Sequence, residues 1–289
     1  MGDLQPYKNW CCVNGDFFDP DKPILKLQNR SFCYGDGLFE TIHAYGTEPR
    51  HFTLHYKRLT KSMDLLGMIK PIYFEEEQLY ELIVKLLNKM RIFSSARVRL
   101  SVFRKEGGYY TPETDNISFA IEATPLEVDK YQLNEKGLFI DLYTEYKKSI
   151  NALANIKSAN AIIYVLASRF KKNSNLGDCL LLNSNNNIIE ATSSNIFLVK
   201  GKSLYTPSLE QGCVDGVMRK VIIDLAPSLG LEIKTNIAID PTLLLHADEI
   251  FLTNAISGIR WVMGFNERRF FNNTAKKLTI ALNATTFNS

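Results

Sequence analysis

The chain's 289 residues suffice for about two domains with sizeable cores. A 45% apolar fraction, a 22% charged fraction and a net charge of +3 without a long basic run fit an ordinary globular protein and give no electrostatic reason to expect nucleic acid. No apolar run reaches the roughly 18 residues that cross a bilayer, so no membrane anchoring is expected.

Residues 1–6 show no signal-peptide core, and Pro6 breaks the myristoylation pattern. The five cysteines (Cys11, Cys12, Cys33, Cys179 and Cys213) are odd in number and scattered. They read as reduced thiols of a cytoplasmic protein, not as disulfides or metal ligands. Cys12-Val13-Asn14-Gly15-Asp16-Phe17 predicts a hairpin turning at Asn-Gly. Gly35 and Gly37 predict a tight turn into a strand beginning at Leu38. Without a third glycine and a following helix they do not make a phosphate loop. Apolar Leu54, Leu59, Met63, Leu65 and Leu66 predict an amphipathic helix over 52–68 that carries His55 and Arg58. A second helix over 75–92 opens on acidic residues and closes on Lys89 and Arg91, matching its dipole. Strands follow over 97–103 and 117–122. Polar residues 126–137 read as a linker between an N-terminal α/β domain, 1–125, and a C-terminal one, 138–289.

In the second half, strands are predicted over 138–143, 179–182 and 188–199, the last interrupted by small residues. A helix opens at Asp215-Gly216 and runs to about Leu229 with a bend at Pro227. A strand over 250–255 ends in a polar turn, and a helix follows Asn273. Between the first two of these strands lies Lys157. It precedes a helix whose buried face is expected at Ile162, Ile163, Leu166, Ala167 and Phe170. Most lysines are solvated, but one at the edge of a core loses hydration and becomes a nucleophile.

Three segments could hold an anion. Gly216, Val217 and Met218 open a helix and present unpaired N–H groups. Asn254 and Ala255 lie on a turn after a strand, and Arg58 adds a fork of donors suited to phosphate. Glu190, at the end of an apolar strand, requires a cation or hydrogen-bond donors if it is buried. His51 and His55 lack a third ligand at usable spacing, so no metal site is expected.

Taken together, these segments resemble the class IV aminotransferases, pyridoxal-phosphate enzymes of fold type IV. That family includes branched-chain aminotransferases, D-amino-acid aminotransferases and 4-amino-4-deoxychorismate lyases. The resemblance rests on Tyr34-Gly35-Asp36-Gly37-Leu38-Phe39-Glu40-Thr41-Ile42, His55-x-x-Arg58-Leu59, Ile156-Lys157 with Asn160, and Glu190-Ala191-Thr192-Ser193-Ser194-Asn195-Ile196-Phe197. It continues through Thr206-Pro207, Gly212-x-x-x-Gly216-x-x-Arg219 and Ala247-Asp248-Glu249-Ile250-Phe251-Leu252-Thr253-Asn254-Ala255, spanning about residues 9–264.

The resemblance implies a two-domain α/β homodimer with pyridoxal 5′-phosphate in the cleft between domains. Lys157 would carry the cofactor as a Schiff base and move the substrate proton. Glu190 would pair with the pyridine nitrogen. Arg58, Val217, Met218, Asn254 and Ala255 would hold the phosphate, with Ser194 and Asn195 completing the cofactor site. Phe39, Arg99, Arg104 and Ile256 would face the substrate, and either arginine would clamp its carboxylate. Many relatives carry Thr at Met218, and branched-chain enzymes carry Tyr at Ile162. The segment Arg104-Lys105-Glu106-Gly107-Gly108-Tyr109-Tyr110 only half matches the Arg-Gly-x-Gly-Gly-Arg-Gly-Tyr of many lyases. The expected activity is therefore transamination between an amino acid, branched-chain-like or D, and a 2-oxo acid. The lyase reaction is the alternative. A cofactor-binding relative without turnover is a third reading, opposed by intact Lys157 and Glu190.

Overall fold

The computed structural model describes residues 9–22 and 24–287; the expectation about residues 1–6 lies outside them. The chain divides into two compact units, Met1–Lys130 with Lys157–Asn160, and Tyr131–Ile156 with Ala161–Ser289. The division falls at 130/131, inside the segment read as a linker, and that segment is ordered by its neighbours. Asp129 accepts from the Ser95 N–H at 3.1 Å, while Asn134 accepts from the Trp261 N–H at 2.9 Å.

In the first unit, strand β1 (Cys11–Val13) and β2 (Asp16–Phe18) form the expected hairpin, with Asn14 and Gly15 at φ 52° and 100°. A short helix that the glycine pattern did not foretell follows, α1 (Arg30–Tyr34), closed by Gly35 at φ 68°. Strands β3 (Gly37–Tyr45), β4 (Glu48–Pro49), β5 (Ser95–Arg104) and β6 (Ile117–Pro125) complete a six-stranded antiparallel sheet in the order β2-β1-β6-β5-β3-β4. Two helices connect β4 to β5: α2 (Phe52–Leu65) and α3 (Glu76–Met90). Helix α2 turns Phe52, His55, Leu59, Ser62 and Met63 inward, while Leu65 is exposed. The buried stripe thus includes polar His55, which an apolar count cannot find.

Alternation splits the central strands into two faces. Leu38, Glu40 and Ile42 of β3 are buried with Val98 and Leu100 of β5, whereas Phe39, Arg97, Arg99 and Ser101 are half-buried. α2 packs against β3.

The second unit holds β7 (Leu138–Lys148), β8 (Asp178–Asn183), β9 (Ile188–Ala191), β10 (Asn195–Lys200), β11 (Ser203–Tyr205), β12 (Glu232–Lys234), β13 (Glu249–Asn254), β14 (Gly258–Phe265) and β15 (Arg268–Arg269). They form a mixed nine-stranded sheet, β12-β11-β10-β13-β14-β7-β8-β9 with β15 on β14. β7 is parallel to both neighbours. Helix α4 (Ile162–Asn173) packs Ile163, Tyr164, Leu166, Ala167 and Phe170 onto a core of Tyr143, Cys179, Leu181, Ile189 and Cys213. Ile162, expected on that face, begins the helix on its flank and is 69% exposed. Helix α5 (Val217–Leu225) passes into a 3-10 turn at Ala226–Leu229 containing Pro227, and α6 (Asn273–Phe287) ends the described chain. All five cysteines are free. No helix among the described residues is long and apolar enough to cross a membrane.

Glu249, on β13, accepts from the N–H of Thr274 at 2.8 and 2.9 Å and of Ala275 at 3.1 Å. A carboxylate from a neighbouring strand thereby caps α6 and complements its dipole. Glu249→Ala is expected to cost about 1–2 kcal/mol, measured as a lowered urea midpoint with unchanged slope; an unchanged midpoint would show that water replaces the cap at no cost.

Candidate active site

Lys157 lies in irregular chain five residues before α4, not in the first turn of a helix. Its neighbours pair with the start of β3. Phe39 donates to the Lys157 carbonyl at 3.0 Å, Ala159 donates to the Gly37 carbonyl at 2.8 Å, and Leu38 bridges Ser158. This approach requires glycine at position 35, where φ is 68° and an added Cβ would lie 2.5 Å from the Asn160 side-chain oxygen. Lys157 is half-buried, with its ammonium 4.5 Å from the centre of the Phe39 ring. The Arg99 guanidinium lies 4.0 Å from the centre of that same ring, and its Nε donates to Ser101 at 3.1 Å. Burial, and then Arg97, push the Arg99 pKa down.

On the other face of β3, Glu40 is buried between α2 side chains. Arg58 grips it with two nitrogens, Nε to Oε1 at 2.8 Å and Nη2 to Oε2, and His55 Nδ1 meets Oε2 at 2.7 Å. Burial alone would raise the Glu40 pKa. The Arg58 charge and the His55 hydrogen bond outweigh it and hold the carboxyl at about 2. Burial pushes the His55 pKa down against the pull of Glu40. His55 Nε2 is buried without a hydrogen-bond partner. Arg104, by contrast, is committed within the fold. Its Nε donates to Asp36 at 3.0 Å, Nη1 pairs with Asp115, and Nη2 donates to the Leu66 carbonyl at 2.8 Å. Asp36 also accepts from Arg30 at 2.9 Å.

In the second unit, Glu190 is 3% exposed at the end of β9. Its Oε1 accepts from Lys148 Nζ at 2.7 Å and from the Tyr164 hydroxyl at 2.8 Å, and its Oε2 accepts from the Val214 N–H at 3.0 Å. Burial, and then the Glu190 charge, push the Tyr164 pKa up, so the phenol stays a donor. Helix α5 opens at Gly216, which offers no side-chain cap, while Asp215 sits outside with its N–H on the Asn155 carbonyl. A Cβ on Gly216 would meet Asn195 Oδ1 at 1.8 Å, so only glycine leaves this helix end open. Asn195 donates to the Val214 carbonyl at 2.9 Å. Asn254 donates to Ser194 Oγ at 2.9 Å and accepts from the N–H groups of Ile256 and Ser257 at 3.0 and 2.8 Å. The Ala255 carbonyl accepts from the Tyr131 hydroxyl at 3.0 Å.

Within the first unit, then, Lys157, Phe39 and Arg99 gather on one face of β3, and Arg58 with Glu40 on the other. Within the second, Asn254 links Ser194 and Ile256 by hydrogen bonds, and Asn195 lies against Gly216, next to Val217 and Met218. The sequence reading quoted Glu40 and His55 only within motifs, with no role in the site, and did not single out Lys148 or Tyr164. Glu40 carried a signal, since a carboxylate at an inward position between Leu38 and Ile42 demands a cation. Lys148 and Tyr164 carried none, because a lysine closing a strand and a tyrosine in a helix are commonplace. Among the described residues no three His, Cys, Asp or Glu side chains group to hold a metal.

The Glu40 carboxyl is depressed, so its contribution to stability is complete above the unfolded value near 4.3 and is lost as pH falls towards about 2. Integrated over that window it amounts to on the order of 3 kcal/mol. Glu40→Gln should therefore remove the part of the acid-induced stability loss that falls between about pH 4.5 and 2. Urea unfolding at stepped pH measures it, and parallel curves for variant and wild type would contradict the linkage.

The pattern of the Amino-transferase class IV family matches residues 37–263. Aminodeoxychorismate lyase of Bacillus subtilis is 28% identical over 84% of this chain and 82% of its own length. D-alanine aminotransferase of Listeria monocytogenes is 26% identical over 84% of this chain and 82% of its own. The branched-chain aminotransferase of Thermoproteus uzoniensis, solved with norvaline, superposes with a TM-score of 0.86 at 22% identity, covering 94% of this chain and 93% of that one. Its fold is the fold seen here. With the family pattern running from the start of β3 nearly to the end of β14, this chain belongs to the class IV aminotransferases.

Proposed function

We propose that the protein is a pyridoxal-phosphate-dependent aminotransferase that exchanges an amino group between an amino acid and a 2-oxo acid, and that it works as a homodimer. The observation that carries this reading is the pairing of Lys157 and Arg99 against one aromatic ring, at 4.5 and 4.0 Å from the centre of Phe39. An amino acid needs its α-carbon near a base and its carboxylate on a fixed cation, and a planar guanidinium meets a carboxylate with two parallel bonds. With Arg104 spent on Asp36, Asp115 and a backbone carbonyl, Arg99 is the clamp.

The donor set suits pyridoxal phosphate. Helix α5 opens without a side-chain cap, which leaves N–H groups of Val217 and Met218 for a phosphate. Within the same unit the backbone at Asn254 and Ala255 would add donors, with Ser194 and Asn195 as further cofactor-binding residues, and Arg58, oriented by Glu40, is the cation proposed for the phosphate. Glu190 Oε2 has one lone pair beyond its bond from Val214, which suits a protonated ring nitrogen. When bound, the cofactor supplies a conjugated ring that takes up the electrons released at the substrate α-carbon. Lys157 would hold the cofactor through its amine, and that amine would also serve as the base that takes and returns the proton of the substrate α-carbon. Phe39 and Ile256 border the substrate.

Two features favour transamination over the lyase reaction. The segment 104–110 lacks the second arginine of the lyase pattern, and its first arginine is buried in ion pairs. Together they leave the second carboxylate of a dianionic substrate without an arginine from this segment.

Borohydride reduction of the purified protein followed by mass spectrometry should find the cofactor on Lys157; an adduct on any other lysine would overturn the assignment. Arg99→Lys should keep the cofactor yet lower kcat/KM for the amino acid by roughly 10–100-fold, the worth of one charge-assisted bond. Adding amino acids should convert the cofactor to its pyridoxamine form. Rapid 4-aminobenzoate release from aminodeoxychorismate without that conversion would make the protein a lyase instead.

A further inference from the structure

Lys148 closes β7, and its side chain is only 12% exposed. Its three N–H groups meet three acceptors, all at 2.7 Å: Glu190 Oε1, the Tyr164 hydroxyl and the Ala154 carbonyl. The ammonium is therefore saturated and has no donor left for a ligand. Tyr164 passes the constraint on, since its hydroxyl accepts from Lys148 and donates to the same Glu190 oxygen at 2.8 Å. Glu190 Oε1 thus has both lone pairs filled from within the chain, and Oε2 has one filled, by Val214. One lone pair on Oε2 remains, and its direction is fixed by the three bonds that fill the others.

We infer that Lys148 is a positioning residue that sets the protonation of the cofactor's ring nitrogen through Glu190. This rests on the reading that Glu190 is that nitrogen's partner. The sign follows from distance. A proton between Oε2 and a ring nitrogen can rest on either atom. A cation 2.7 Å from Oε1 stabilises the carboxylate strongly, while it opposes the positive nitrogen beyond Oε2 more weakly. Lys148 therefore favours carboxylate with pyridinium over carboxylic acid with neutral pyridine. The pyridinium is the better electron acceptor, so a lysine that touches neither cofactor nor substrate governs how readily the α-proton leaves. The bond to the Ala154 carbonyl anchors this device three residues ahead of Lys157.

The test uses holoenzyme prepared with cofactor labelled with 15N at the ring nitrogen. In the wild type the nitrogen resonance should be that of a pyridinium at neutral pH. Lys148→Gln keeps hydrogen-bond donors while removing the charge, so it should fold and still carry the cofactor on Lys157. Its resonance should move towards that of neutral pyridine, and the deuterium exchange rate at the substrate α-carbon should fall roughly tenfold, about one pK unit of electrostatic coupling. Lys148→Arg should restore both. An unmoved resonance in Lys148→Gln, with Glu190→Gln shifting it, would sink the inference and leave the role of Glu190 standing. If Glu190→Gln also leaves the resonance unmoved, it is the reading of Glu190 that fails. Lys148→Met supplies a second measurement: loss of stability with an unshifted resonance would make Lys148 merely structural.

Discussion

The backbone pairing of Lys157–Ala159 with Gly37–Phe39 is the constraint on which the chemistry depends. Two hydrogen bonds and one bridge hold four residues from the middle of the chain against the first strand of the N-terminal sheet. A lysine on free coil would sample many positions and lose entropy each time it had to reach one place. Stitched to β3, it is delivered to the Phe39 ring, where β5 also brings Arg99 through the register that pairs Thr41 with Arg99. The small residues around it are explained by that contact. Gly35 gives way to Asn160, and a larger residue there would push the segment off the sheet.

Two buried carboxylates show how one residue type can be put to different uses. Glu40 accepts three bonds, two from Arg58 across both its oxygens and one from His55. It is a brace, and the Arg58 charge with the His55 hydrogen bond keeps its pKa low against burial. Glu190 also meets a cation, but its donors leave one oxygen open on one side. Burial of either charge would cost several kcal/mol without its partners. What separates brace from reactive group is how the donors are arranged, since Arg58 spans both oxygens of Glu40 whereas on Glu190 the cation and the phenol share Oε1 and leave Oε2 to one backbone N–H.

That difference also explains what could be read in advance. The elements follow from periodicity and turn chemistry: Asn14-Gly15 turns the hairpin, Pro227 ends α5, and the acidic start of α3 caps it with Glu75 and Gln78. Lys157, Glu190 and the glycine at the start of α5 were legible because a nucleophile, a buried acid and an open helix end each leave a local mark. Arg99 and Arg104 were not separable, since both lie on β5 and only contacts with Asp36, Leu66 and Asp115, which lie 68, 38 and 11 residues from Arg104, show that it is consumed. Lys148 and Tyr164 were invisible for the same reason, being brought to Glu190 across separations of 42 and 26 residues. Sequence spacing carries information within a turn or a strand; it carries little about which distant polar group will arrive to satisfy another.

Gly216 has one more consequence. A helix of nine residues whose N-cap carries no side-chain acceptor begins with bare amides, and the anion proposed to lie there would be its missing cap. Helix α5 would then complete its own hydrogen bonding only with a ligand that is not part of the chain, and its first turn would fray without it. Because binding to the folded state alone adds stability in proportion to the logarithm of ligand concentration, the amides at this helix start would become a gauge of cofactor supply. They would exchange with solvent quickly when the cofactor is scarce and slowly when it is abundant.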